Sequence, residues 1–532
     1  MQDELSPAER EALAPYFTSL DGPVFALVNL PEVVKGALFA RYSRSPKSLR
    51  RLFLDEFLGE GGLAGARERA AALARDAEGT ERAERLYERV FFEYGDDSVA
   101  QLGGVHLACE GASNILTKVL EWGRLMAYLE QSTRYIPYDD RPGGRWRYHV
   151  PVELEGGLRD RYVETLDRAF DTYRASLATL RDFFARRYPR AETDSETVWR
   201  TTIRAKALDT LRGLLPAATT SNVGIYATGQ AYEQLLLRMR ASPLGEARAY
   251  GDLMLTELRK VIPAFLRRVD LPERGAAWSA YLAETREATA EVARRVLDDL
   301  TPEPRPEVTL TDFDPDGEVK VVVAALYAAS TMPDDQLSAI ARQLSAEERK
   351  AVLAAYVGRR GNRRHRPGRA FERTSYRFDV LTDYGAFRDL QRHRLLTLEW
   401  QRLSPAHGYA IPDAVQDAGV GADWRRVMDD SAELHDAVAG AGLVEVAPYA
   451  VAMAYRVRCY LEMNAREAMH VIELRTAPQG HPSYRRVCQE MHRLIAERAG
   501  HRAIADAMTF ADHSEVELER LAAERAAERR RK

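Results

Sequence analysis

A chain of 532 residues with 45% hydrophobic content is long enough for two or more domains and apolar enough for large cores. Its formal net charge of -4 gives no support for a nucleic-acid binder, and its cysteines, Cys109, Cys459 and Cys488, have no paired metal-ligand spacing. With no basic stretch leading an apolar core at the amino terminus and no apolar run of membrane-spanning length, a soluble, cytoplasmic protein without membrane contact is expected.

In chain order, Val24-Phe-Ala-Leu-Val predicts a short strand, and the stretch after Pro31 a helix carrying residues 35–42. Residues 59–65 read as a Gly-rich linker, since no Lys-Ser/Thr pair accompanies them as a phosphate loop requires. Residues 94–98 read as a turn. Residues 113–128 predict a helix that runs into Glu130-Gln-Ser-Thr-Arg-Tyr135, with Pro137 and Arg141-Pro-Gly-Gly144 closing the unit. Helical periodicity covers residues 158–188 and 197–215, breaks at 216–220 and resumes over 227–240. Leu300-Thr-Pro-Glu-Pro-Arg-Pro306 is the best linker in the chain. Beyond it the first order returns: a strand at 308–312, Pro315, then a helix over 319–327, the first sign of an internal duplication. No Gly-x-Gly-x-x-Gly follows a strand, so a nucleotide cofactor would not be held in the Rossmann manner.

Two Arg-His-Arg triplets stand in the second half. Arg364-His365-Arg366 is flanked by Gly and Pro and reads as an exposed, solvated basic loop over residues 358–369. Arg392-His393-Arg394 lies in residues 387–400, a run without Gly or Pro that predicts one helix with Arg388 and Arg392 on a shared face. Guanidinium forks aimed from such a face suit phosphates or a flat polar ring. Residues 460–474 predict another helix, with Asn464, Ala468, Val471 and Arg475 on one stripe whose ends are roughly 16 Å apart. Glu467-Ala-Met-His470 reads as a helix-surface pair, because a di-iron site needs a second copy and more facing glutamates, so no metal site is expected. His481 and Tyr484 read as turn or supporting groups. Residues 515–532 form a charged helical tail.

Together these stretches resemble the flavin-dependent thymidylate synthases, the ThyX family. That family's signature is Arg-His-Arg, about five residues, Glu-x-Ser-x-Arg-Tyr, then Arg-x-x-x-Pro and an Asn-x-Arg helix ending in Arg. The first half has Trp122 and Gly123 before Arg124, but then Glu130, Ser132, Arg134 and Tyr135 in full, followed by Arg212-Gly-Leu-Leu-Pro216. The second half has Arg392, His393 and Arg394, but Trp400, Arg402 and Ser404 at the later offsets and Val444 before Pro448; it regains Asn464, Arg466 and Arg475. Where the family commonly carries Glu-His, the halves show Gln101-Leu102 and Glu372-Arg373.

The resemblance implies an α+β fold of two tandem units, each a small sheet packed against long helices: residues 1–299 and 308–514, with 300–307 as linker and 515–532 as tail. Family sites lie between subunits, so one composite site assembled from complementary remnants is expected. On that reading Arg392, His393, Arg394, Asn464 and Arg466 hold FAD, Glu130, Ser132, Arg134 and Arg212 hold dUMP, and Arg475 binds and polarises the uracil. The implied activity is reductive methylation of dUMP to dTMP, with methylenetetrahydrofolate as carbon donor and NADPH as reductant, in a homodimer of pseudo-dimers. Two other readings stand beside it: an inactive or regulatory relative that binds flavin or nucleotide, and a nucleic-acid binder using the basic loop at 358–369.

Overall fold

The computed structural model describes residues 5–58, 101 and 103–531; residues 59–65 and 94–98, expected as linker and turn, and Leu102 lie outside them. The chain forms two compact units. Residues 1–174, 215–301 and 429–451 make the first, and residues 175–214, 302–428 and 452–532 the second.

Among the described residues each unit holds one four-stranded antiparallel sheet, so the fold is of the expected mixed helix-and-sheet class. Strands β1 (Val24–Leu27), β2 (Gly104–Ser113), β3 (Met126–Glu130) and β4 (Thr220–Thr228) pair in the order β1-β2-β4-β3. Strands β5 (Val308–Phe313), β6 (Ser375–Asp383), β7 (Thr397–Trp400) and β8 (Arg456–Asn464) repeat that order as β5-β6-β8-β7. Helices α1 (Asn114–Leu120), α2 (Gly229–Arg240), α3 (Tyr384–Gln391) and α4 (Ala465–Arg475) follow β2, β4, β6 and β8 without a loop. Ser113, Thr228, Asp383 and Asn464 make this possible. Each ends its strand in extended conformation and accepts, through its side chain, the backbone N–H three residues on, which caps the new helix.

The two sheets are buried differently. In the first, Phe25, Leu27 and Ala108 face a core with Leu38, Phe39 and Tyr42, while Val24, Leu107 and Ile225 face another with Leu116, Tyr232 and Leu255. In the second, Tyr376, Phe378 and Val380 of β6 and Val457, Cys459, Leu461 and Met463 of β8 are buried, and the residues between them are only partly so. That other face is polar. Arg458 pairs with Asp379, and the Arg377 guanidinium sits 4.0 Å over the Tyr460 ring.

Three predicted helices are corrected. Residues 113–128 divide into α1 and β3, residues 387–400 into α3 and β7, and the stretch from Arg456 stays a strand until Ala465. The cause is a short period of two inside helix-compatible sequence: Leu396 and Leu398 are 6% and 5% exposed, whereas Leu395 between helix and strand is 63% exposed. Cross-strand pairing on β8 outweighs the helical preference of these residues.

Candidate functional site

In the second unit, α3 is buried along its whole length. It begins at the Asp383 cap and ends with Arg392 at the C-cap, so Arg392-His393-Arg394 occupies the turn into β7 and not a helical face as expected. Asp389, one turn earlier, is the centre of the cluster. Its carboxylate contacts Arg392, lies 3.3 Å from Arg475 Nη1, and lies 3.6 Å from Arg212 Nη1. Its backbone carbonyl accepts a further bond from Arg475 Nη2.

Arg475 is the last residue of α4. Its Nε donates to His393 Nε2 at 2.9 Å, and its guanidinium faces the Tyr484 ring at 5.3 Å. Arg212 follows the helix Glu196–Leu211 as its C-cap and is 4% exposed. Asp383 Oδ1 stands 3.8 Å from its Nη2, but Nε and Nη2 have no hydrogen-bond partner among the described residues. A β-carbon on Gly385 would come within 2.9 Å of Arg212 Nε, so only glycine lets the guanidinium lie against the first turn of α3. Arg212 also lines a cavity of about 470 Å³ together with Asp383, Trp424, Arg456, His481 and Arg486. Buried donors without acceptors, beside three cations that share one carboxylate, make a site suited to an anionic ligand.

A second cluster adjoins His393. Because Nε2 accepts from Arg475, the neutral ring carries its proton on Nδ1, which faces Glu467 Oε1 at 3.7 Å. Burial first, then Arg475, His470 and Arg392, push His393 well below its ordinary value. Burial likewise raises the Glu467 carboxyl to about 7 against the pull of Arg366, Arg394 and Arg466, so the His393–Glu467 contact is not a fixed ion pair. His470 Nδ1 accepts from Arg366 at 2.8 Å; burial and the cations Arg366, Arg363, Arg475 and Arg394 lower it to about 4. Ligand atoms of His393, Glu467 and His470 lie within 4.8 Å of one another, a spacing a metal could bridge. The arginines that crowd the same point favour an anion over a cation.

Two sequence readings change here. Glu467 is buried, not a surface residue. The basic loop is partly built into the site: Arg366 reaches His470, and Arg360 makes a doubly hydrogen-bonded pair with Glu473, both side chains 2% exposed. Asp389 escaped the sequence reading altogether; its place one helical turn before Arg392 was the available signal. The remaining cofactor candidates are engaged locally. Asn464 Oδ1 caps α4, Arg466 Nε donates to the Pro367 carbonyl, and its Nη1 lies 3.5 Å from Glu372. Arg394 is exposed. His481 caps the helix Pro482–Glu497.

The structure thus brings Arg212 of the first half together with Arg392, His393 and Arg475 of the second half in one unit. Glu130, Ser132 and Arg134 belong to the other unit, at the end of β3 and the turn beyond. Glu130 is buried with Lys118 at 3.5 Å, and Lys118 also pairs with Glu121 at 2.6 Å. Ser132 Oγ accepts from the Arg134 backbone N–H at 3.3 Å.

The family described as "Thymidylate synthase complementing protein" matches residues 60–264 and 309–499, one segment in each half. A UPF0159 protein of Chlamydia muridarum is 38% identical over 525 residues, 98% of this chain and 98% of that protein. A flavin-dependent thymidylate synthase of Clostridium tetani is 25% identical over 178 residues, 33% of this chain and 66% of that enzyme. A solved UMP/dUMP methylase, PolB of Streptomyces cacaoi bound with 5-Br dUMP, aligns with 37% of this chain and 94% of its own at 19% identity and a TM-score of 0.31. Matched in both halves over most of its length, the chain belongs to the thymidylate synthase complementing protein family.

Proposed function

We propose that the protein is an FAD-dependent thymidylate synthase that converts dUMP to dTMP with methylenetetrahydrofolate and NADPH. The observation that carries this reading is the meeting of Arg212 with Arg392, His393 and Arg475 around Asp389, since these are the groups that the family resemblance assigns to nucleotide and flavin. The donor set fits a dinucleotide cofactor: Arg363, Arg366, Arg394 and Arg466 surround neutral imidazoles and a carboxyl that is only partly ionised near neutral pH, an excess of positive charge that a pyrophosphate would balance. FAD, when bound, supplies the hydride chemistry. Arg392, His393, Arg394, Asn464 and Arg466 would hold it, with Arg366 added from the loop. Arg212 would hold the dUMP phosphate and sugar; Glu130, Ser132 and Arg134, in the other unit, are assigned to dUMP by the family resemblance alone. Arg475 would donate to a uracil carbonyl and stabilise the anionic character that builds on the ring; His393 and Asp389 keep its guanidinium oriented for that task.

One observation favours a second reading. Where the family has Glu-His, Glu372 is engaged by Arg369 and Arg466, and Arg373 lies 3.4 Å from Asp334, so both positions serve local ion pairs. A relative that binds nucleotide without turnover would carry such replacements. Expression in a thymidine-requiring bacterial strain separates the two. Growth without thymidine, lost with Arg475→Ala, supports the enzyme; no growth from a soluble, dUMP-binding protein supports the second reading.

A further inference from the structure

Arg212, Arg392 and Arg475 come from three separate stretches of chain, and each has a guanidinium nitrogen between 2.5 and 3.6 Å from the same carboxylate. Like charges at this separation repel, so a shared anion is what lets them converge. Arg475 is gripped by that residue twice, at the carboxylate and at the backbone carbonyl, while His393 fixes its Nε. We propose that Asp389 is the positioning residue of the site: it sets the Arg475 guanidinium and competes with the anionic group of the ligand for the same three cations. This rests on the reading that a nucleotide is bound here.

Removing the charge while keeping the shape therefore has two opposite effects. In Asp389→Asn the competitor is lost, and an anion binds about tenfold more tightly. At the same time Arg475 is held less firmly and kcat falls about a hundredfold. A merely structural defect would weaken binding and rate together. Asp389→Glu keeps the charge but shifts it by one methylene, so anion affinity stays near that of the parent while kcat falls.

The test uses the full chain, with calorimetric titration of inorganic phosphate and of dUMP beside kcat and KM for dUMP. Tighter phosphate binding by Asp389→Asn, with lower kcat and lower KM, supports the inference. Unchanged or weaker phosphate binding overturns it, as does absence of phosphate binding from parent and variant alike. Phosphate tightening without any dUMP binding sustains the competition by Asp389 and instead overturns the nucleotide reading. If the Asn variant does not fold, the Glu variant decides: near-parental phosphate affinity with reduced kcat supports the inference, and lost affinity overturns it.

Discussion

Arg240 and Arg475 close equivalent helices, α2 and α4, each entered from the strand before it through a polar cap. Their surroundings differ in charge balance. Arg240 meets two acids, Asp252 at 3.2 Å and Asp270 at 2.8 Å, the second shared with Arg259, while Arg475 shares Asp389 with two other guanidiniums. Two cations matched by two acids are fastened; three guanidiniums crowded on one carboxylate attract a further anion. On the proposed reading, the same repeated frame carries a structural arginine in one unit and a binding arginine in the other.

The largest effects should come from pairs that are structural in both units. Arg360–Glu473 and Lys118–Glu121 are buried, so Arg360→Ala or Lys118→Ala leaves a carboxylate without its principal cation. Urea denaturation should show a loss of about 3–5 kcal/mol for each. A loss below ~1 kcal/mol would mean that these pairs are fastenings in appearance only.

Next comes the arginine comparison itself. Arg475→Ala should lower kcat/KM for dUMP by about 10²–10³. Arg240→Ala should leave the rate near that of the parent and cost no more than ~1 kcal/mol of stability. Equal rate losses from both would erase the distinction between the two units.

The titration of the second cluster sharpens it further. Glu467 is raised from 4.5 to about 7, so its contribution to stability is present below pH 4.5 and is lost as pH rises towards 7, roughly 3 kcal/mol in all. His470 is lowered from 6.5 to about 4, so its contribution is present above pH 6.5 and is lost as pH falls towards 4, by a smaller amount because water screens this half-buried ring. Between pH 4.5 and 6.5 the two oppose each other. Relative to the parent, Glu467→Gln should lose stability as pH falls through this window, and His470→Asn as pH rises through it. Urea midpoints measured across pH 4.5–7.5 decide the signs. The smallest effect is expected at the caps: Asn464→Ala and Ser113→Ala should each cost ~1 kcal/mol in the same assay.

The duplication was legible in the sequence because the motif remnants fall at matching offsets in the two halves, and the matched family segments, one per half, bear it out. The strands β1 and β5 and the long helices Gly156–Arg187 and Glu196–Leu211 were legible for the ordinary reason that their periods are uninterrupted. The strands β7 and β8 were hidden because each abuts a helix without Gly or Pro between them, the junction being made by a capping side chain or a tight turn, and β3 because a single glycine, Gly123, is all that separates it from α1. Arg212, Arg392, His393 and Arg475 were named from their motifs, yet Asp389, which gathers them, belongs to no motif. Its role exists only once a segment of the first half lies against α3. Glu467 was misjudged for a related reason: a charged residue on an amphipathic helix is usually solvated, and only tertiary packing shows that this one is not.

Each unit takes in a piece of the opposite half, residues 175–214 in one case and 429–451 in the other. During synthesis the first unit therefore waits, at ribosomal speed, roughly ten seconds after residue 301 emerges before its last segment follows. Cutting the gene between the halves would yield two fragments that each lack a wall and carry a stray helix. A chain interleaved in this way can lose motif residues from either copy, but it can no longer discard a copy.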